Sequence, residues 1–335
     1  MTQRCIGPAI QARIAYWMIA LSAIVCALTI LSEAQAQTWP ARTVRIVSPY
    51  APGGTNDVTA RIVAERLQVR LGQNVIVENK PGANTNLASE FVARSTADGY
   101  TLYWVAAPFT VNPALFTQVP YDALRDFSPI VQTVILPLLL TVPAQSPAKT
   151  LAEYLSLVRT QPDLATVCSP GNGSGPHLAI EQLAGLTGAP LVHVPYKGDA
   201  PAMNDLLGAR IGACMNAFGT PLPHVKSARL RALGVVARER MPQLPEVATF
   251  AQLGYAGVDA YAWFGLVAPA GTPSLILERL NQDVNSVLKS NDVQERFASL
   301  GAIAVGGSAI EFERYLRNDL EKWARIVKQR HIKPD

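Results

Sequence analysis

Strands and helices alternate along most of this chain, and that alternation limits the folds it can adopt more than any other feature. Thr43–Tyr50 has the apolar pattern of a strand, Asp57–Leu71 that of a helix, and Asn74–Asn79 that of a second strand. Another helix separates this strand from a third one at Tyr100–Ala106. Because strands joined through helices run parallel, the pattern predicts an α/β fold with mainly parallel sheets flanked by helices.

The alternation restarts in the second half of the chain. The strands predicted there are Leu164–Pro170, Pro190–Tyr196, Arg210–Phe218 and Leu230–Ala237. As in the first half, a glycine-rich turn follows the first strand of the set, and a helix is expected from about Leu178. Two similar α/β modules of this length indicate two lobes.

The C-terminal region predicts helices that return to the first module. Ser308 and Glu311 have the spacing of a capping box, so a long helix should begin there and end near Arg330. Its apolar stripe needs a surface to cover, and the first module is the natural one. The residues of this stripe are Ile310, Phe312, Leu316, Leu320, Trp323 and Ile326.

Such a return means that the chain crosses between the modules twice, near residues 140 and 262. We therefore expect a discontinuous first lobe, residues 37–141 plus 262–335, and a second lobe at residues 142–261. Two crossings form a hinge, and small-molecule sites favour the cleft between two domains.

The first 36 residues have the pattern of a secretory signal peptide. Arg4 and Arg13 precede the apolar run Ala15–Ser32, and the small residues Ala34 and Ala36 follow. This arrangement predicts export and cleavage after Ala36. The alternative is an uncleaved membrane anchor, for which the run is only marginally long enough.

Charge and cysteine content narrow the classes of partner. The formal net charge is +4, and residues 1–36 contain two arginines and one glutamate, so their removal leaves +3. The charge is spread along the chain, which argues against a nucleic-acid partner. Cys168 and Cys214 each lie in a predicted strand; we favour two buried thiols over a disulfide, which an oxidising compartment would permit.

The two glycine-rich turns are the best candidates for a binding site. Helix N-termini expose free N–H groups and the positive end of the helix dipole, and glycine lets a ligand approach the backbone closely. The candidates in the first turn are Tyr50, Pro52, Gly53, Gly54, Thr55, Asn56 and Asp57. Those in the second are Ser169, Gly171, Asn172, Gly173, Ser174 and His177. Both turns predict an anion site without lysine or arginine, unless the glycines only shape the turns.

Two of these candidates have a structural alternative. Asp57 would repel a bound anion, so we expect it to cap the helix or to order a bridging water. His177 stands at a helix start, where a histidine more often bonds the local backbone than a ligand.

The motifs of common enzyme classes are missing from the sequence. There is no P-loop, zinc spacing, dinucleotide fingerprint or nucleophile elbow; Pro176 stands where the last two would need glycine. We therefore expect no cofactor, no metal and no catalytic residue. The alternative is a secreted hydrolase that uses Ser169 or Ser174.

Several motifs in one order resemble a known family. They include "YAPGGTNDVTARIVAERL", "GQNVIVENKPGA", "VPYDALRDFSPI", "GNGSGPHLA", "VHVPYKGDAPAMNDLLGARI" and "AWFGLVAPAGTP". Over residues 38–335 the chain resembles the periplasmic solute-binding proteins of tripartite tricarboxylate transporters, the Bug or TctC family. The resemblance implies a two-lobed, type II periplasmic-binding fold that closes on a small organic acid. It also implies a monomer that serves two integral-membrane transporter subunits; a signalling receptor with the same fold is an alternative.

The resemblance further implies which residues hold the ligand. One carboxylate would lie between Gly53–Asp57 and Ser169–Ser174, bound by N–H groups, hydroxyls and waters. The remaining candidates are Phe109, Thr110, Tyr196, Asp199, Asn216 and Phe218. The chain departs from the family pattern at Pro170, at Ala106 and Ala107, and at Met215–Ala217, which indicates a less polar pocket and a ligand with an apolar or aromatic body.

Overall fold

A computed structural model of the chain describes residues 17–18, 39–330 and 332–334. The chain divides into a short unit that ends at Ala41 and a compact unit that begins at Arg42. Apart from residues 17–18, which are helical, the predicted signal peptide and its cleavage site after Ala36 lie outside the described residues. None of the helices in the described part of the chain is long and apolar enough to cross a bilayer.

The first sheet of the compact unit contains strands from both ends of the chain. In chain order they are β1 (Val44–Ser48), β2 (Val75–Asn79), β3 (Thr101–Ala106), β4 (Phe127–Leu136), β10 (Ala262–Pro269) and β11 (Ile303–Ala304). Their spatial order is β11-β4-β10-β3-β1-β2. The N-terminal strands β1, β2 and β3 form its parallel part, as the alternating pattern predicts.

The second sheet is built from the middle of the chain. Its strands are β5 (Leu138–Pro143), β6 (Thr166–Ser169), β7 (Val192–Pro195), β8 (Ala213–Ala217) and β9 (Leu230–Val236). They lie in the order β7-β6-β8-β5-β9. Strand β6 pairs in parallel with β7 and β8.

Both sheets are mixed, whereas the sequence predicted mainly parallel ones. Strand β10 is antiparallel to β3 and β4, and β5 is antiparallel to β8 and β9. The reason is that β5 and β10 follow the two passages of the chain between the sheets. A strand that enters from the other sheet has no preceding crossover helix to force it parallel. Only Pro137 separates β4 from β5, and it cannot donate to either ladder.

Helices cover the sheets and begin where several strands end. In chain order they are α1 (Thr55–Leu71), α2 (Asn86–Ala93), α3 (Pro108–Leu115), α4 (Leu151–Leu157), α5 (Gly175–Thr187), α6 (Asp199–Leu207), α7 (Leu222–Lys226), α8 (Ser274–Leu288), α9 (Asn291–Ser299) and α10 (Ala309–Arg330). Gly72 ends α1 with φ 65°, the left-handed conformation that favours glycine.

The two cysteines lie opposite each other on β6 and β8. Cys168 and Cys214 are register partners with Cα atoms 4.4 Å apart, and they form a disulfide. The favoured interpretation as two free thiols was therefore wrong, because the sequence could not show that the two strands are neighbours.

The last helix, α10, packs on the first sheet as predicted. The capping box forms: Glu311 N–H donates to Ser308 Oγ at 3.2 Å, and Ser308 N–H donates to Glu311 Oε2 at 2.7 Å. The helix contacts α3 and β4 through buried side chains that include Phe312 and Leu316. Ile310 does not belong to this stripe, since it is 69% exposed in the first turn, outside the contact with the sheet.

We predict that Phe312→Ala lowers the free energy of unfolding by about 3–5 kcal/mol, because it removes a buried aromatic ring and leaves a cavity. Ile310→Ala, two residues earlier on the same helix, should change it by no more than about 0.5 kcal/mol. Urea unfolding of both variants measures the two effects. Equal losses would contradict this account of how α10 docks.

Candidate ligand-binding site

A cavity of ≈ 20 Å³ lies between the two sheets, which is room for about one water molecule. Its walls come from the ends of β1, β3 and β8, the starts of α1, α3, α5 and α6, and the start of β10. The lining residues are Tyr50, Asn56, Ala106, Ala107, Pro108, Pro170, Ser174, Gly175, Pro176, Asp199, Ala217, Ala262, Trp263 and Phe264. Both predicted glycine-rich turns thus meet at one cavity.

The starts of several helices surround this cavity and can attract an anion without a cation. Strands β1, β3 and β6 each end beside the start of a helix, namely α1, α3 and α5. Helix starts carry N–H groups without intrahelical partners and the positive end of the dipole. Among the described lining residues there is no lysine, arginine or histidine. The walls are otherwise mostly apolar, with Trp263 and Phe264 on β10.

Asp57 holds the first turn rather than lining the cavity. Its Oδ2 accepts a hydrogen bond from Gly53 N–H at 3.0 Å, and Asn79 Nδ2 donates to its Oδ1 at 2.9 Å. Arg61 forms an ion pair with it from one helical turn later. Burial alone would raise the pKa of Asp57, but the bonds from Arg61, Gly53 and Asn79 together lower it below its usual value. The charged carboxylate therefore organises the turn before α1, whereas the sequence predicted that it would cap the helix or order a water.

Asn56 contributes an amide group to the cavity wall. Ser48 Oγ donates to Asn56 Oδ1 at 2.8 Å, and this fixes which end of the amide faces the protein. The other end, Nδ2, is buried and has no hydrogen-bond partner within the described part of the chain. A buried donor without a partner is costly, so this amide favours an acceptor in the cavity.

The hydroxyls of the second turn are used to hold its own backbone. Ser169 Oγ accepts a hydrogen bond from Gly171 N–H at 3.1 Å and bonds His193 Nε2 at 2.7 Å. Ser174 caps α5: its Oγ accepts from His177 N–H at 3.3 Å and donates to Gly171 O at 2.6 Å. Only Ser174 of these two serines lines the cavity.

His177 lies behind this turn. Its Nδ1 accepts a hydrogen bond from Gly173 N–H at 3.0 Å, and its ring stacks on His193 with centroids 4.1 Å apart. Burial lowers the pKa of His193 to about 4, so that ring is neutral at pH 7. The geometry matches the structural alternative for His177, a histidine that bonds the local backbone.

Asp199 is the charged residue of the cavity wall. It begins α6 on the second sheet, and its Oδ1 accepts a hydrogen bond from Asn216 Nδ2 at 2.8 Å. Burial raises the pKa of Asp199 to about 6, although hydrogen bonds from Asn216 and from the N–H groups of Ala217 and Thr55 oppose this rise. Thr55 belongs to the first turn, so Asp199 faces the start of α1 across the cleft; a Cβ placed on Gly54 would stand 3.4 Å from Asp199 Cβ.

Direct hydrogen bonds also join the two sides elsewhere in the cleft. The hydroxyls of Thr55 and Thr220 are 2.7 Å apart, and Ala51 N–H donates to Lys197 O at 3.0 Å. Asn84 Nδ2 donates to the carbonyl oxygen of Asn172 at 2.8 Å. The cleft is therefore closed. A second opening of ≈ 280 Å³, lined in part by Gly53 and Thr220, lies on the other side of the first turn.

Four other predicted residues lie away from the cavity. Phe109 stacks on Tyr121 in the core beside the first sheet, with ring centroids 5.5 Å apart, and Phe218 is in the core of the second sheet. Thr110 Oγ1 donates to Asp319 on α10, and Tyr196 OH donates to Asp205 on α6. Sequence position near a strand end did not show which way these side chains point.

The structure brings together Tyr50, Asn56, Ser174 and Asp199 from the predicted set, and their contact with ligand stays a prediction. Pro52, Gly53, Gly54 and Thr55 shape the first turn, as Gly171, Asn172 and Gly173 shape the second. Trp263 and Phe264 line the cavity but were not among the predicted site residues, although the expected crossing near residue 262 placed them beside the cleft. Asn216 lies next to the cavity through its bond to Asp199.

Comparisons with known proteins identify the family and the fold. The sequence model of a family described as "Tripartite tricarboxylate transporter family receptor" matches residues 59–332. The periplasmic binding protein BugD has a similar structure, with a TM-score of 0.85 and 31% identity over 89% of this chain and 100% of that one. These matches confirm the predicted family resemblance and the two-lobed periplasmic-binding fold.

Two similar structures were solved with carboxylates. An R. palustris protein with adipate has a TM-score of 0.85 and 32% identity over 89% of this chain and 100% of that one. MatC from Rhodopseudomonas palustris, with bound malate, has a TM-score of 0.82 and 31% identity over 86% of this chain and 100% of that one.

The raised pKa of Asp199 predicts a pH effect on stability. The folded state holds this proton more tightly than the unfolded state, so ionisation of Asp199 removes stability as pH rises from about 4 to about 6. Relative to Asp199→Asn, the wild-type free energy of unfolding should fall by up to about 3 kcal/mol between pH 4 and pH 7.

Asp205→Asn provides the control on the same helix. Hydrogen bonds from Tyr196 and Arg210 lower the pKa of Asp205, so its titration falls below this pH window. Denaturant titrations at pH 4, 5, 6 and 7 measure both differences. A constant difference between wild type and Asp199→Asn would contradict the raised pKa.

Proposed function

The chain belongs to the tripartite tricarboxylate transporter receptor family, and from this premise we propose that it captures a small organic carboxylate between its two lobes and delivers it to a membrane transporter. Relatives with this fold were solved with adipate and with malate, both of which are dicarboxylates. We therefore propose that this chain is a solute-binding protein for small mono- or dicarboxylates.

One observation supports this proposal most strongly. The buried Nδ2 of Asn56 has no partner in the described part of the chain, and it lies in the first turn of α1 on the cavity wall. Its donor and the helix start favour the same kind of group, an anion that accepts hydrogen bonds. A carboxylate meets both demands.

The absence of a cation among the described lining residues suits reversible capture. A carboxylate paired with a buried arginine or lysine requires two charges to lose their hydration on every binding cycle. Here fixed N–H dipoles and neutral amides replace that hydration, as in other anion sites at helix starts.

We assign the first lobe to residues 37–141 plus 262–335 and the second to residues 142–261. The chain passes between the two sheets at Pro137 and between Val236 and Ala262. The ≈ 20 Å³ cavity is far smaller than a dicarboxylate, so the lobes must part at these passages to admit ligand.

The setting of this function is also proposed. The chain would be exported with cleavage after Ala36, act in the periplasm as a monomer, and serve two membrane subunits. It would have no enzymatic activity. Ser169 supports this, because it is fully buried, its Oγ is bonded to Gly171 N–H, and its histidine partner, His193, is buried as well.

Gly54→Val should weaken carboxylate binding at least tenfold while the protein still folds. A Cβ at Gly54 would stand 3.4 Å from Asp199 Cβ, an ordinary contact, but the two further methyl groups of valine would press against the start of α6. Gly54→Ala is the matched control and should bind almost as well as wild type. A panel of organic acids, tested by thermal shift and calorimetry, measures both; normal affinity in a folded Gly54→Val protein would sink the assignment.

Ligand should also change the shape of the protein. Each lobe supplies part of the cavity wall, so a bound carboxylate favours the closed arrangement. Small-angle scattering should give a smaller radius of gyration with a saturating acid than without it. The same radius in both samples would indicate a rigid pocket.

A further inference from the structure

The two sides of the cavity differ in hydrogen-bonding character. The first lobe presents donors: the start of α1 and the unpartnered Nδ2 of Asn56. The second lobe contributes the start of α5, but it also places an acceptor, the Asp199 carboxylate, directly on the cavity wall. A ligand that fits both sides must accept hydrogen bonds at one end and donate them at the other.

Asn216 adds a second acceptor beside Asp199. An ionised carboxylate can only accept, so Asn216 must turn its Nδ2 towards Asp199, as the 2.8 Å bond shows. Its Oδ1 is then left buried, with no partner in the described residues. This orphaned acceptor is independent of the charge on Asp199, and it too favours a donor.

The charges around Asp199 leave its negative charge without a cationic partner in the described cavity wall. Tyr50 faces it from the end of β1; burial and the charge of Asp199 raise the pKa of that phenol further, so it is neutral. On α1, Asp57 is already paired with Arg61. On α6, Asp205 is paired with Arg210. The adjacent strand β8 contributes the neutral amide of Asn216.

We propose that Asp199 determines ligand specificity, by making this site prefer carboxylates that carry an ammonium group next to the carboxylate over carboxylates without one. The inference rests on the proposed function, since it concerns the same cleft. An ammonium group supplies the positive charge that Asp199 lacks as a partner and a donor for the orphaned Oδ1 of Asn216.

The position of Asp199 explains why the two ligand classes should differ. Asp199 lies against the start of α1, where a Cβ placed on Gly54 would stand 3.4 Å from Asp199 Cβ, and this is the place where a ligand carboxylate is expected. A ligand that has carboxylates but no ammonium group therefore brings a second negative charge beside Asp199, and the two like charges repel each other. In an α-amino acid the ammonium group is next to the carboxylate, so one end can bond α1 while the other bonds Asp199 and Asn216.

Matched pairs of ligands test the proposal. Each pair shares one carbon skeleton and differs only in the ammonium group: aspartate with succinate, glutamate with glutarate, and alanine with propionate. Calorimetry at pH 7.5 should show that wild-type protein binds the amino member of the best pair at least tenfold more tightly. Asp199→Asn should abolish or reverse that preference.

Two further variants keep the outcome interpretable. Asp205→Asn, on the same helix but outside the cavity, should keep the wild-type preference. Asp199→Ser also removes the charge, with a smaller side chain, and serves if Asp199→Asn folds poorly. Thermal unfolding without ligand shows whether each of these two variants is folded.

The possible results separate the role of Asp199 from carboxylate capture itself. Equal binding within the pairs, or a preference that survives in a folded Asp199→Asn or Asp199→Ser protein, overturns the specificity role and leaves carboxylate capture intact. If wild type binds no member of any pair and no acid in the wider panel, carboxylate capture itself fails, and the role of Asp199 fails with it.

Discussion

Hydrogen bonds from the starts of helices hold this cleft together, and the rest of the site depends on them. The carboxylate of Asp57 fixes the turn before α1, and the carboxylate of Asp199 reaches the same helix start from the other lobe. Free N–H groups at a helix start attract anions whether these belong to the protein or to a ligand. The proposed site therefore combines helix starts that attract a carboxylate with a carboxylate of its own, and the selectivity proposed above rests on this combination.

Local sequence patterns were enough to predict most of the fold. Alternating apolar residues located β1 and β3 to within two residues at either end, and the capping box located the start of α10. These features depend on neighbours in the sequence. The glycine-rich turns could be placed in the cleft because strand ends and helix starts meet there in α/β folds. The lobe boundaries, by contrast, remain a proposal.

Features that depend on distant residues could not be predicted in the same way. The disulfide needs β6 and β8 to be neighbours, and the antiparallel strands arise from the passages between the sheets. Whether Phe109 faces the cleft or the core depends on its packing against Tyr121, which the sequence does not reveal. The role proposed for Asp199 likewise depends on α6 lying beside α1, because Thr55 and Asp199 are 144 positions apart in the sequence.

The direct bonds between the lobes have a consequence for how such a protein evolves. Thr55 meets Thr220 across the cleft, and Ala51 meets Lys197. These contacts give the closed state a free energy of its own, and the measured affinity for any ligand includes it. Because Thr220 does not line the ≈ 20 Å³ cavity, a substitution there can raise or lower affinity for every ligand together while the choice among ligands is preserved. Selection can therefore adjust how tightly solute is scavenged in a given habitat separately from which solute is taken.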